Sequence, residues 1–203
     1  MELQEALLQI AAIRRQMARS EQFRGYRAAP VAISALLAFL ASAVQSQWIS
    51  EPATHLWRYL ALWIAVAAAS LAICLGNVWL RNRRSPGLLQ HETTQLALEQ
   101  FFPCLVAGGL LTIVVARAAP QAAWMLPGLW AILFSMGLFA SWRLLPPAIL
   151  AVAIYYLASG LGALAWTSNR EPLSPWEMPL LFGVGQSITA AVLLLSERKG
   201  TKP

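Results

Sequence analysis

Residues 124–141 read WMLPGLWAILFSMGLFAS, a stretch without a single charged side chain. As an α-helix these residues would span about 27 Å, close to the roughly 30 Å of hydrocarbon in a bilayer. A non-helical backbone would leave amide groups without hydrogen-bond partners in lipid, and the alternation typical of a β-barrel is absent. The stretch therefore predicts a transmembrane helix.

Similar apolar runs recur along the 203 residues, of which 58% are hydrophobic and 12% are charged. Average soluble chains carry about 25% charged residues, so too few are present here to cover a water-exposed surface. We predict an all-α polytopic membrane protein with an N-terminal amphipathic helix and six transmembrane helices arranged as three hairpins. The predicted spans are Pro30–Trp48, Trp57–Leu80, Phe102–Ala119, Ala123–Trp142, Leu144–Trp166 and Trp176–Leu195. The predicted segments are residues 1–28 (amphipathic helix), 29–196 (six-helix domain) and 197–203 (basic tail).

The basic residues predict the orientation of the six spans. The net charge of +6 is divided among short clusters between the apolar runs, which is typical of a membrane topology signal and does not suggest direct nucleic-acid binding. With the N-terminus inside, twelve basic residues are cytoplasmic and three are outside, so we expect both termini on the cytoplasmic side of the membrane. The outer three are Arg58, Arg117 and Arg170.

The first 22 residues predict a different kind of helix, with apolar side chains at helical spacing and charged side chains on the other faces. It is interpreted either as an interfacial helix at anionic headgroups or as a docking surface for a cytoplasmic partner or a second copy. The candidate partner face consists of Leu3, Leu7, Ile10 and Met17, with Ile13 on the same side.

A weak internal repeat accompanies the three predicted hairpins. The second helix of each begins with the same spacing, in Trp57…Trp63, Trp124…Trp130 and Trp176…Phe182, and a proline stands near the start of each first helix. Three hairpins of like orientation would be parallel repeats. Aromatic belts and helix-start prolines recur in many bundles, however, so the pattern also has this simpler explanation.

Polar groups near the middle of the spans are few. Ion-coupled transporters bury acidic groups there, and the apolar runs hold none near their middles, which disfavours that class. A pocket for a lipid-like molecule would lie at Tyr155, Tyr156, Gly183, Gln186 and Ser187, although small residues more often mark close helix packing. Arg58 and Arg117 are interpreted as snorkelling to the interface or as a joint anion contact.

Motifs for catalysis, metals or cofactors are absent from the sequence. His55 and His91 fall on opposite sides of the predicted membrane and cannot share a metal. Cys74 and Cys104 lie within apolar runs and are interpreted as buried hydrophobes. We predict neither enzymatic activity nor a cofactor.

Four strings are familiar as a set: RGYRAAPVA, EQFFPCLVAGGLLT, WMLPGLWAILFSMGLFAS and LSPWEMPLLFGVGQ. They resemble an uncharacterised family of bacterial membrane proteins of about 200 residues. The resemblance covers nearly the whole chain, but its motifs carry no known chemistry. Members of that family are often encoded beside small winged-helix DNA-binding regulators, which implies a regulator as a partner.

The sequence thus favours a non-enzymatic membrane protein that acts in regulation or partner binding through its cytoplasmic face. That face would comprise the N-terminal helix, a loop over 81–99 and the basic C-terminus. The alternative is a transporter or binder of a small apolar or lipid-like molecule within the helix bundle.

Overall fold

The structure, a computed structural model, describes residues 28–49, 51–52, 54–84, 88–142, 145–167 and 173–199. The N-terminal helix predicted from the sequence lies outside the described residues. Six α-helices follow in order: α1 (Ala28–Trp48), α2 (Leu56–Arg84), α3 (Leu88–Ala118), α4 (Leu126–Ser141), α5 (Ile149–Thr167) and α6 (Val184–Lys199). A 3₁₀ turn (Pro120–Met125) leads into α4, and a π-turn (Pro179–Gly183) leads into α6.

Six helical stretches are long and apolar enough to cross a membrane, as expected of a multi-pass membrane protein. Within the described ranges no β-strand occurs, so the predictions of an all-α fold and of six helices able to span a membrane are confirmed. The stretches are Ala28–Trp48, Leu56–Leu80, Glu99–Ala118, Pro120–Ser141, Ile149–Trp166 and Pro179–Ser196. Below, the outer side is the one with the 49–55 connection, and the inner side is the one with the 85–87 connection.

The most extensive helix contact joins α4 to α5. It depends on two facing glycines, because a Cβ added at Gly128 or at Gly160 would lie 2.8 Å from the carbonyl oxygen of the other. Helix α1 packs against α2 and α6, and α3 packs against α4, whereas α2 and α3 barely touch. Small residues at such crossings let helix backbones approach closely, which is how helices associate in lipid.

Helices α2 and α3 are peripheral. Only 17% of the most apolar window of α2 and 11% of that of α3 are buried within the protein, against 50% of that of α1. From Ile64 to Leu80, no residue of α2 is buried. These two helices therefore leave most of their surface unburied by the rest of the chain.

Two apolar clusters form the core. The first joins α1, α4, α5 and α6 around Tyr156. The second lies at the outer ends of α1, α2, α3 and α4 and includes Tyr59, Leu60, Trp63 and Leu173. The second cluster brings the outer connection before α6 against α1 and α2, and it positions the candidate site.

Candidate functional site

A groove opens between α1 and α2 at their outer ends, with a volume of about 510 Å³. This α1–α2 groove is lined by Val44, Trp48, Ile49, Arg58, Ala61 and Leu62. Ala61 contributes only a methyl group to this lining. Trp48 is 79% exposed at its rim, so the groove is open toward the surroundings of the bundle.

Arg58 carries the only charge on the groove lining. It is exposed and lies in the first turn of α2, which contains no acidic residue. The N-terminus of a helix already carries a partial positive charge, so a cation there is unfavourable unless an anion compensates it. Glu51, in the preceding connection, accepts hydrogen bonds from Thr54 Oγ1 at its carbonyl oxygen (2.9 Å) and at Oε2 (3.4 Å). Among the described residues Arg58 forms no ion pair.

Arg117 lies at the C-terminus of a helix, whereas Arg58 lies at the N-terminus of one. It lies in the last turn of α3, where a cation is favourable because the helix C-terminus carries a partial negative charge. It is exposed and is not a lining residue of the groove. The two predicted anion-contact arginines therefore do not share this groove.

Behind the groove, a buried polar cluster is centred on Gln45, which has no exposed surface. The Trp63 indole Nε1 donates to Gln45 Oε1 at 2.8 Å, and Gln45 Nε2 donates to the Leu173 carbonyl at 2.9 Å. Ser42 Oγ donates to the Pro175 carbonyl at 2.7 Å. Leu173 has a φ of 62°, a left-handed conformation that is unfavourable for a leucine. The cluster therefore fixes the connection before α6 onto α1 and α2.

Tyr59 completes this cluster. Its ring is fully buried beside Trp63, with ring centroids 6.4 Å apart, and its hydroxyl has no hydrogen-bond partner in the structure. A buried hydroxyl without a partner costs about 1–3 kcal/mol. Neither Gln45 nor Tyr59 was singled out from the sequence. A glutamine inside an apolar run, one turn before its outer end, is the signal that could have pointed to this position.

Two glycines of the predicted lipid pocket pack against aromatic rings of the protein. A Cβ added at Gly185 would lie 2.4 Å from the ring of Tyr156, and one added at Gly183 would lie 2.9 Å from the ring of Phe39. Ser187 Oγ donates to the Gly183 carbonyl of its own helix at 2.8 Å. Gln186, the remaining member of the predicted set, is half-buried beside these residues. The glycines thus leave space in which aromatic rings of the protein itself pack.

Tyr155 has a separate role at the π-turn. Its hydroxyl donates to the Leu180 carbonyl. The Val184 N–H bonds the Pro179 carbonyl, five residues earlier, and not the Leu180 carbonyl that a regular α-helix would use. Tyr155 therefore stabilises the local widening of the helix.

The inner side shows a helical extension where the sequence suggested a loop. Helix α2 continues to Arg84 and α3 begins at Leu88, so residues 88–98 are helical before the span that starts at Glu99. Arg83 stacks on the ring of Trp79, with its guanidinium carbon 3.8 Å from the ring centroid. A tryptophan is typical of the headgroup level, which places the inner boundary of α2 close to this pair.

Comparison with known proteins gave no match to a family model, to a curated protein or to a solved structure. In the described residues no group of three or more His, Cys, Asp or Glu side chains could hold a metal ion.

Proposed function

We propose that this chain is a non-enzymatic integral membrane protein of the bacterial inner membrane that binds a regulatory partner on its cytoplasmic face. The observation that carries the proposal is the inner helical extension. Helix α3 has 31 residues and measures about 46 Å, well above the roughly 30 Å of hydrocarbon. The eleven residues 88–98 would project about 16 Å beyond the span.

Charge defines the chemistry of the partner. The predicted cytoplasmic segments hold twelve of the fifteen basic residues of the chain, including three at the end of α2. A protein with an acidic surface would complement this face, and electrostatic complementarity speeds association and selects partners. The predicted docking helix at the N-terminus would add an apolar surface beside it.

Substitutions on the two parts of this face test the proposal. Leu7→Glu with Ile10→Glu alters the N-terminal helix, Arg81→Glu with Arg84→Glu alters the end of α2, and Arg170→Glu is the matched control on the outer side. Proteins retained in mild detergent are identified by mass spectrometry. We expect one protein to remain with the wild type and with Arg170→Glu, and to be lost from both inner variants while the helical content is unchanged.

An unchanged set of retained proteins in both inner variants would contradict the proposal. Loss of anionic lipid from the inner variants, with no protein lost, would also contradict it and would assign the basic face to headgroup contact.

The alternative function, binding of a lipid-like molecule inside the bundle, has weaker support. The rings of Phe39 and Tyr156 contact the helix backbone at Gly183 and Gly185, where the ligand would lie. Retention of an apolar small molecule by the purified protein, with loss of that molecule in Gly185→Ala, would favour this alternative.

We also infer that the first two hairpins are repeats of one unit. Trp63 and Trp130 occupy matching positions in the sequence pattern, and each indole donates to a side chain 18 residues earlier, Gln45 and Thr112 respectively, at 2.8 Å. The aromatic belt explains tryptophans at helix ends but does not require deeper tryptophans to share a partner spacing. The third hairpin has Phe182 at this position and cannot form the bond.

A further inference from the structure

We propose that the α1–α2 groove is a binding site for an anionic glycerophospholipid of the outer leaflet, with the phosphate on Arg58 and the first part of an acyl chain along the groove floor. This site is separate from the proposed cytoplasmic partner face and does not depend on it.

The shape and position of the groove fit such a lipid. Its volume of about 510 Å³ falls within the roughly 300–1,000 Å³ of ligand sites. It is open on the side of the exposed Trp48 and Val44, so a lipid can enter laterally from the bilayer. Trp48 and the 64% exposed Trp57 stand at the outer helix ends, where tryptophan marks the headgroup level. Arg58, next to Trp57, is therefore at the depth of a lipid phosphate.

The polarity of the lining follows the polarity of a phospholipid. Ala61 and Leu62 lie three and four residues deeper than Arg58 on α2, or about 5–6 Å. Val44 lies at a similar depth below Trp48 on α1. These side chains are apolar and suit the glycerol end of an acyl chain, while the charged group stands above them at the rim.

The electrostatics of the groove favour an anion. Arg58 and the N-terminus of α2 place positive charge at the same point, and no acidic residue stands in the first turn of that helix. A guanidinium binds phosphate through parallel hydrogen bonds, which are stronger than those between neutral groups. A zwitterionic lipid carries its own cation beside the phosphate, so a lipid with one net negative charge compensates the site better.

The test measures lipid preference. The protein is reconstituted in an equimolar mixture of phosphatidylglycerol and phosphatidylcholine with identical acyl chains, and native mass spectrometry records the first lipid retained. We expect the wild type to prefer phosphatidylglycerol. Arg58→Gln should reduce that preference about tenfold, the loss of one charge-assisted contact. Arg58→Lys should keep most of it, because the charge remains.

Two further variants distinguish this site from general contact with lipid. Arg117→Gln is the matched control, since Arg117 is exposed on the outer side but is outside the groove, and its preference should equal that of the wild type. Ala61→Phe should lower the retention of both lipids, because the ring fills the groove while the charge stays. Melting temperatures of the four variants confirm that each is folded.

Three results would overturn the proposal. Arg58→Gln could leave the preference unchanged, or Arg117→Gln could reduce it equally, and either result would assign the selectivity to the surface charge as a whole. Inorganic phosphate at about 10 mM could also displace the retained phosphatidylglycerol by competition. That result would assign the site to the free anion.

Discussion

Replacing Gln45 by leucine tests whether the buried polar cluster holds the outer end of the bundle together. The wild-type amide serves two partners, the Trp63 indole at 2.8 Å and the Leu173 carbonyl at 2.9 Å, and has no exposed surface. Leucine has a similar volume but leaves both partners buried and unpaired. Each unpaired group costs about 1–3 kcal/mol, while hydrogen bonds between membrane helices average about 0.6 kcal/mol. We therefore expect Gln45→Leu to lower the free energy of unfolding by about 2–4 kcal/mol.

The assay is unfolding by sodium dodecyl sulfate in mixed micelles, followed by circular dichroism and tryptophan fluorescence. Gln47→Leu is the matched control, because Gln47 is exposed on the same helix and should change stability by less than about 0.5 kcal/mol. The double variant Gln45→Leu with Trp63→Phe removes both members of one bond, so it should lose less than the sum of the single variants. Equal stability of Gln45→Leu and the wild type, or strict additivity in the double variant, would refute the reasoning.

Three further predictions concern helix packing, the buried hydroxyl of Tyr59 and the membrane topology. Gly185→Ala should destabilise the fold by about 1–3 kcal/mol, because the added methyl group would meet the ring of Tyr156. Gly76→Ala is the control, since nothing lies within 4 Å of the added atom. Equal chemical denaturation midpoints for the two variants would contradict the prediction. Tyr59→Phe should raise stability by about 1 kcal/mol, since it removes a buried hydroxyl without a partner; a lower midpoint would show that the hydroxyl is bonded in solution. The topology is tested with single cysteines in a chain lacking Cys74 and Cys104, labelled from outside with an impermeant thiol reagent. Reaction at position 88 or 202 would contradict the predicted orientation. We expect the reagent to reach positions 52, 121 and 170 and to spare positions 2, 88 and 202.

The six spans could be predicted from the sequence, because lipid requires the side chains to be apolar and the backbone groups to be hydrogen-bonded along the whole span. An uncharged run such as residues 124–141 has one stable conformation in hydrocarbon, so composition alone predicts the element. The inner extension was not accessible in this way. Residues 88–98 read LLQHETTQLAL, a polar segment that resembles a loop but is rich in good helix formers and continuous with a span.

The candidate site was less predictable, because it depends on pairs of residues that are distant in the chain. Arg58 was interpreted from the sequence as snorkelling to the interface or as an anion contact, but the groove that it lines together with α1 was not predicted. The importance of Gln45 depends on a carbonyl 128 residues later. A glutamine in an apolar run shows that a partner must exist, and only the packing of α1 against the connection before α6 shows which one.

The two bonds of Gln45 also set an order of events during synthesis. Its oxygen accepts from Trp63, 18 residues later, and this bond can form as soon as the first hairpin is in the membrane. Its nitrogen donates to Leu173, which leaves the ribosome only after five of the six helices. Until then Gln45 Nε2 lacks its Leu173 partner, and a chain truncated before residue 173 would keep only the Trp63 bond of these two.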